Sequence, residues 1–111
     1  MGQCYSVNLK INTNNEEKLI KAVQEYMESA YASFGNKYKP DSIDNIAKIF
    51  LAEEYGANFC TFDDHEYTSD FDGSYGWEGV LDNLWKVMKP YLTRGSYIEV
   101  WPDDGSWRYE I

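Results

Sequence analysis

Residues 3–12 read QCYSVNLKIN, and the alternation of their side chains decides the kind of fold this chain can form. Tyr5, Val7, Leu9 and Ile11 are apolar or aromatic, while Cys4, Ser6, Asn8, Lys10 and Asn12 between them are small, polar or charged. A repeat of two belongs to a β-strand, whose successive side chains point to opposite faces, so this strand has one buried face.

The period then changes. Thr13, Asn14, Asn15 and Glu16 have the spacing of a capping box, and Leu19, Ile20, Val23, Tyr26, Met27, Ala30, Tyr31 and Phe34 follow at helical spacing until Gly35 offers a C-cap. After a loop over 36–40, Asp41 or Ser42 can cap a second helix with an apolar stripe of Ile43, Ile46, Ala47, Phe50 and Leu51, ending at Gly56. Residues 57–72 fit one strand, a hairpin or an ordered loop equally well, and short strand pieces are expected there. A third helix starts over 74–76 with Trp77, Val80, Leu81, Leu84, Trp85, Met88 and Tyr91 on one stripe, and Pro90 should end or kink it.

At the C-terminal end, Ser96, Ile98 and Val100 share one strand face, and Trp107, Tyr109 and Ile111 share another across Pro102, Asp103, Asp104 and Gly105. This is the pattern of a hairpin. A turn at Asp104 and Gly105 would set Glu99 against Glu110; a four-residue loop sets Glu99 against Arg108 and Val100 against Trp107. Charge pairing across the strands favours the longer loop by ~0.5 kcal/mol. The expected order is β-α-α-β-α-β-β: an α+β domain over residues 1–111, two layers, with helices on one face of a mostly antiparallel sheet.

Charge is distributed unevenly in this chain of 111 residues and formal net charge −9. Residues 1–50 hold six acids and six bases, whereas 51–111 hold thirteen acids and four bases. From Lys48 to Lys86 there is no Lys or Arg, and FDDHEYTSDFDGSYGWE, residues 62–78, carries Asp63, Asp64, Glu66, Asp70, Asp72 and Glu78, with Asp82 just beyond. Such a field repels nucleic acid and anionic membranes, whose binding requires cationic side chains to displace counterions. With four Trp, ten Tyr and five Phe the chain has enough apolar surface to fold despite its charge. The opening MGQCYSVNLKINT lacks a charged region followed by an apolar core, and no apolar run approaches a membrane span, so a cytoplasmic protein is expected. Cys4 and Cys60 are too few for a disulfide framework and are expected to stay thiols.

Metal and catalytic readings of the acidic stretch meet specific obstacles. Asp70, Asp72 and Gly73 depart from an EF-hand, which places a third ligand before its glycine, and Cys60, Asp63, His65 and Glu66 match no zinc spacing. His65 is the lone histidine, with no nucleophile arrangement or phosphate loop beside it. No cofactor is expected. Acidic residues near a helix start also suit its dipole. The aromatics suggest binding instead: Tyr97 and Trp101 lie opposite Ile98 and Val100, and Tyr67 and Tyr75 flank the acidic run, side chains of the kind that anchor interfaces.

These features lead to an expectation of a non-enzymatic protein that offers carboxylates and aromatics to the basic surface of a nucleic-acid-binding protein or nuclease, imitating phosphate. The expected contacts are Asp63, Asp64, Glu66, Asp70, Asp72, Glu78 and Asp82, with Tyr67 and Tyr75 as anchors. Residues 77–105, WEGVLDNLWKVMKPYLTRGSYIEVWPDDG, resemble the ends of small proteins carried by phages and mobile elements, and the chain is similar in size and acidity to anti-CRISPR proteins. That resemblance implies counter-defence in a bacterial cytoplasm; anti-CRISPR proteins share no common fold, so it assigns no residue a role. An immunity or antitoxin-like protein neutralising a basic toxin is the alternative, and a metal-dependent enzyme using the acidic loop is a second.

Overall fold

Strand β1 (Gln3–Lys10) is the middle of a five-stranded sheet. The structure, a computed structural model, describes residues 3–30, 39–51, 58–73, 76–102 and 105–111. Along the chain follow helix α1 (Glu16–Ala30), helix α2 (Ile43–Phe50), strands β2 (Asn58–Phe62) and β3 (Glu66–Gly73), and helix α3 (Trp77–Met88). A 3-10 turn over Lys89–Tyr91 then leads to β4 (Tyr97–Pro102) and β5 (Trp107–Glu110). The sheet order is β2-β3-β1-β4-β5 and every described pairing is antiparallel. The fold is α+β in the expected order, and the strand pieces expected over 57–72 are the two arms of a hairpin.

The alternation in QCYSVNLKIN is realised directly. Tyr5, Val7 and Leu9 are buried against the helices, while Cys4 and Ser6 are exposed and Asn8 and Lys10 half-buried on the other side. On its two flanks β1 places Val7 beside Val100 and Ser69, and Leu9 beside Ile98 and Tyr67, so the inner face is continuous across three strands. Leu19, Val23 and Met27 of α1, Ile46 and Phe50 of α2, and Leu81, Leu84, Trp85 and Met88 of α3 cover it. Each such side chain fully removed from water contributes roughly 1.5–3 kcal/mol. The stripe of α3 is therefore core, and Trp85 carries it to the sheet edge, where its ring lies 6.3 Å from that of Tyr109.

Helix ends depart from the expected caps in one place. Ser42 caps α2, its Oγ accepting from Asn45 N. At α1 the cap is Asn15, two residues beyond the Thr13 expected from the capping box: Asn15 Oδ1 accepts from Lys18 N at 3.1 Å. Thr13 is used elsewhere, donating to the Tyr91 carbonyl at 2.6 Å and pairing as a lone bridge with Leu92, which ties the start of α1 to the turn after α3. The second helix ends at Phe50 rather than running on toward Gly56; its last carbonyls are met by the sheet and α3, Leu51 O accepting from Ser69 Oγ and Phe50 O from Trp77 Nε1. The C-cap expected at Gly35 lies outside the described residues. The C-terminal hairpin has the longer-loop register, Glu99 opposite Arg108 and Val100 opposite Trp107. Gly95 (φ 98) suits the turn into β4, where the left-handed backbone would strain any residue carrying a side chain.

Candidate protein-binding face

The helices cover one side of the sheet, and the odd–even alternation of its strands decides what the other side presents. In EYTSDFD, residues 66–72, Tyr67, Ser69 and Phe71 point inward and are buried, so Glu66, Thr68, Asp70 and Asp72 point outward. Strand β1 adds Cys4, Ser6, Asn8 and Lys10; β4 adds Tyr97, Glu99 and Trp101; β5 adds Arg108 and Glu110. Among the described residues this outer face thus holds five carboxylates against two cations, a formal balance of −3. At its corner the β2–β3 turn holds Asp63 and Asp64, both exposed, which takes the balance to −5. Asp64 and His65 in that turn have φ 61 and 58, a left-handed conformation that Asp and His tolerate better than most residues.

The carboxylates are held mainly by uncharged donors from the neighbouring strand. The Cys4 thiol donates to Asp72 Oδ1 at 2.9 Å, the Ser6 hydroxyl to Asp70 Oδ1, Asn8 Nδ2 to Glu99 Oε1 at 3.0 Å and the Tyr97 hydroxyl to Glu66 Oε2 at 2.7 Å. A neutral donor fixes the direction of a carboxylate without cancelling its charge. Arg108 is the exception: it binds Glu99 at 2.8 Å and Glu110 at 3.3 Å, and its guanidinium lies 4.7 Å from the Tyr97 ring centre. The Asn8 amide first, then Arg108 and the Trp101 indole, hold the Glu99 carboxyl below its ordinary range. Burial and the Glu66 carboxylate together push the Tyr97 phenol up to about 12, so at neutral pH it remains a donor. Trp101 and Phe62, each 50% exposed, stand at opposite ends of this face.

The residues expected to contact a partner separate into three groups. Glu66, Asp70 and Asp72 lie together on the open face, with Asp63 and Asp64 at its corner. Tyr67 is not a surface anchor: the same alternation that turns its neighbours outward turns it into the core, where it is 0% exposed and its hydroxyl donates to Asp44 of α2. Glu78 and Asp82 belong to the helical layer. Glu78 accepts the Tyr5 hydroxyl at 2.7 Å, and Asp82 pairs with Lys86 at 2.8 Å, which with the Tyr109 hydroxyl holds its carboxyl below the usual range. Tyr75 lies outside the described residues. Glu99, Glu110 and the donors Cys4, Ser6 and Asn8 were missed as members of the site, although the alternation of QCYSVNLKIN already assigns three of them to the uncovered side.

For metal binding, Asp70 and Asp72 are successive outward positions of a strand, about 6.8 Å apart along it, each facing a neighbour on β1. This is an extended geometry and not a loop that wraps an ion. Among the described residues no three His, Cys, Asp or Glu side chains gather closely enough to hold a metal. Cys4 and Cys60 both face outward but lie on strands separated by β3, with Cys4 paired to Asp72 and Cys60 to Thr68, too far apart to be bridged. No helix among the described residues is long and apolar enough to cross a membrane. Compared with known protein families, curated proteins and solved structures, the chain matches none.

Proposed function

We propose that this chain is a non-enzymatic inhibitor that lays the open face of its sheet into the basic groove of a nucleic-acid-binding protein or nuclease, in the manner of an anti-CRISPR protein acting in a bacterial cytoplasm. The observation that supports this most is the set of outer-face carboxylates oriented by neutral donors: Asp72 by Cys4, Asp70 by Ser6, Glu66 by Tyr97. Internal cations would have neutralised them. Left charged on a rigid sheet, they attract Arg and Lys from a distance and suit paired hydrogen bonds to guanidinium groups. Glu66, Asp70 and Asp72 form the row, Asp63 and Asp64 extend it, and Trp101 supplies apolar contact. Glu78, Asp82 and Tyr67 serve the fold in this reading.

The test is capture from a nuclease-treated bacterial lysate, with elution by duplex DNA and by salt. The Asp63→Asn, Asp64→Asn, Asp70→Asn, Asp72→Asn variant runs alongside. Asn keeps the acceptor that Ser6 and Cys4 use, so the variant folds. A captured DNA-binding protein that DNA displaces, and that the variant binds more weakly with most of the loss in association rate, is the expected result. Capture that DNA does not displace and the variant does not weaken overturns the reading.

A further inference from the structure

The two edges of the sheet are built differently. β5 is four residues long and carries Arg108 and Glu110, charges of the kind that keep an edge from pairing with another chain. β2, NFCTF, has no charged residue, proline or glycine, and four of its five side chains are exposed. Its pairing with β3 runs without a bulge from Asn58 opposite Asp70 to Phe62 opposite Glu66. No strand lies on its far side among the described residues. It is therefore a straight row of backbone donors and acceptors offered to an incoming strand.

We propose that β2 is a docking strand onto which an extended segment of the partner, alternating basic and apolar residues, adds as a sixth strand. The proposal rests on the acidic-face reading and specifies how the partner enters it. Charge selects the occupant. A residue of the new strand opposite Asn58 lies in the row that continues to Asp70, and one opposite Phe62 lies in the row that continues to Glu66, about 9.6 Å beyond. Asn58 is short, so a Lys or Arg reaches over it to the Asp70 carboxylate, while Asp63 and Asp64 flank the strand's other end. Apolar residues at alternate positions turn toward the inner side, beside half-buried Phe59 and the exposed Thr61. A second copy of this chain would instead bring its own Asp63, Asp64 and Asp70 to the same edge, like charge against like.

The probe is a short synthetic peptide alternating lysine and valine, added to the full chain at low salt, with backbone amide exchange followed residue by residue. The expected result is slowed exchange within Asn58–Phe62. Two isomeric peptides, N-methylated at every lysine or at every valine, keep the charge but block one backbone edge each. One of them binds about tenfold more weakly and the other binds as the parent does. Equal binding of both isomers, lost in the Asp63→Asn, Asp64→Asn, Asp70→Asn, Asp72→Asn variant, overturns strand addition while leaving the acidic face standing. Absence of any slowing in Asn58–Phe62 with the parent peptide also overturns strand addition, and the capture experiment then decides the acidic face separately. Protection of these amides without peptide, growing with protein concentration, shows a second copy on the edge and overturns the basic occupant.

Discussion

Tyr5, Tyr67 and Tyr97 donate their hydroxyls to the carboxylates of Glu78, Asp44 and Glu66 in turn. These phenols pin the sheet to α3, the sheet to α2, and β4 to β3 across β1. Burial first, and the partner carboxylate second, push Tyr5 and Tyr97 up to about 12 and Tyr67 further still. An unfolded tyrosine loses its proton near 10, so above that pH the unfolded chain binds fewer protons than the folded one. The stability these groups contribute is complete below pH about 10 and is lost as pH rises through about 12. Tyr5, Tyr67 and Tyr97 should ionise late in an absorbance titration, as should Tyr109, whose phenol the Asp82 carboxylate also pushes up, and the urea midpoint should fall across the same window. Tyr97→Phe should soften that fall; an unchanged midpoint from neutral pH to 12 would contradict it. Tyr67 also shows how a residue's role can be read from its neighbours. Its place within EYTSDFD, where acids hold one parity and Tyr67, Ser69 and Phe71 the other, is a strand alternation visible in the sequence. Taken as an acidic loop, the same letters place Tyr67 at the surface.

Elements were legible where one period ran long enough. The first strand, the stripe of α3 and the register of the last hairpin all follow from spacing and charge pairing, because burial of one face leaves few alternatives. Helix ends were less legible, since Thr13 and Asn15 can both accept a hydrogen bond from the first turn. The helix starts at Glu16, so Asn15 caps it, while Thr13 donates to the Tyr91 carbonyl and accepts from Asn15 N just ahead of the first turn. Asn15→Ala should therefore lower stability by about 1 kcal/mol, while Asn15→Asp, which keeps the acceptor, should be nearly neutral. Equal stability of the Ala and Asp variants by urea unfolding would return the cap to Thr13. The β2–β3 hairpin was hidden for another reason. Its turn reaches positive φ at Asp64 and His65 without glycine, so the usual sequence mark of a hairpin is missing.

At the scale of the molecule, the order β2-β3-β1-β4-β5 could not be read from the chain, because β1 pairs with strands some sixty and ninety residues away, and local periodicity says nothing about such partners. That order is what gathers charges from β3, β4 and β5 onto one face. The molecule spans 36 × 31 × 21 Å. At 0.01 M salt the screening length is about 30 Å, so most of its like charges act on one another; at 0.15 M it is about 8 Å. Each like pair 10 Å apart in water costs roughly 0.4 kcal/mol before screening. Ion pairs at the surface, such as Lys39 with Glu28 at 3.9 Å, offset little of this. Raising salt from 0.01 to about 0.15 M should accordingly raise the melting temperature, by roughly 4–8 °C for each kcal/mol of repulsion removed. Neutralising Asp63, Asp64, Asp70 and Asp72 takes the formal net charge from −9 to −5 and should flatten that rise. The same substitution weakens partner binding in the proposed function, so charge that opposes folding at low salt is charge used for recognition. A melting temperature that falls with salt, or a salt response unchanged in the variant, would place the dominant electrostatics in the attractive pairs and away from this face.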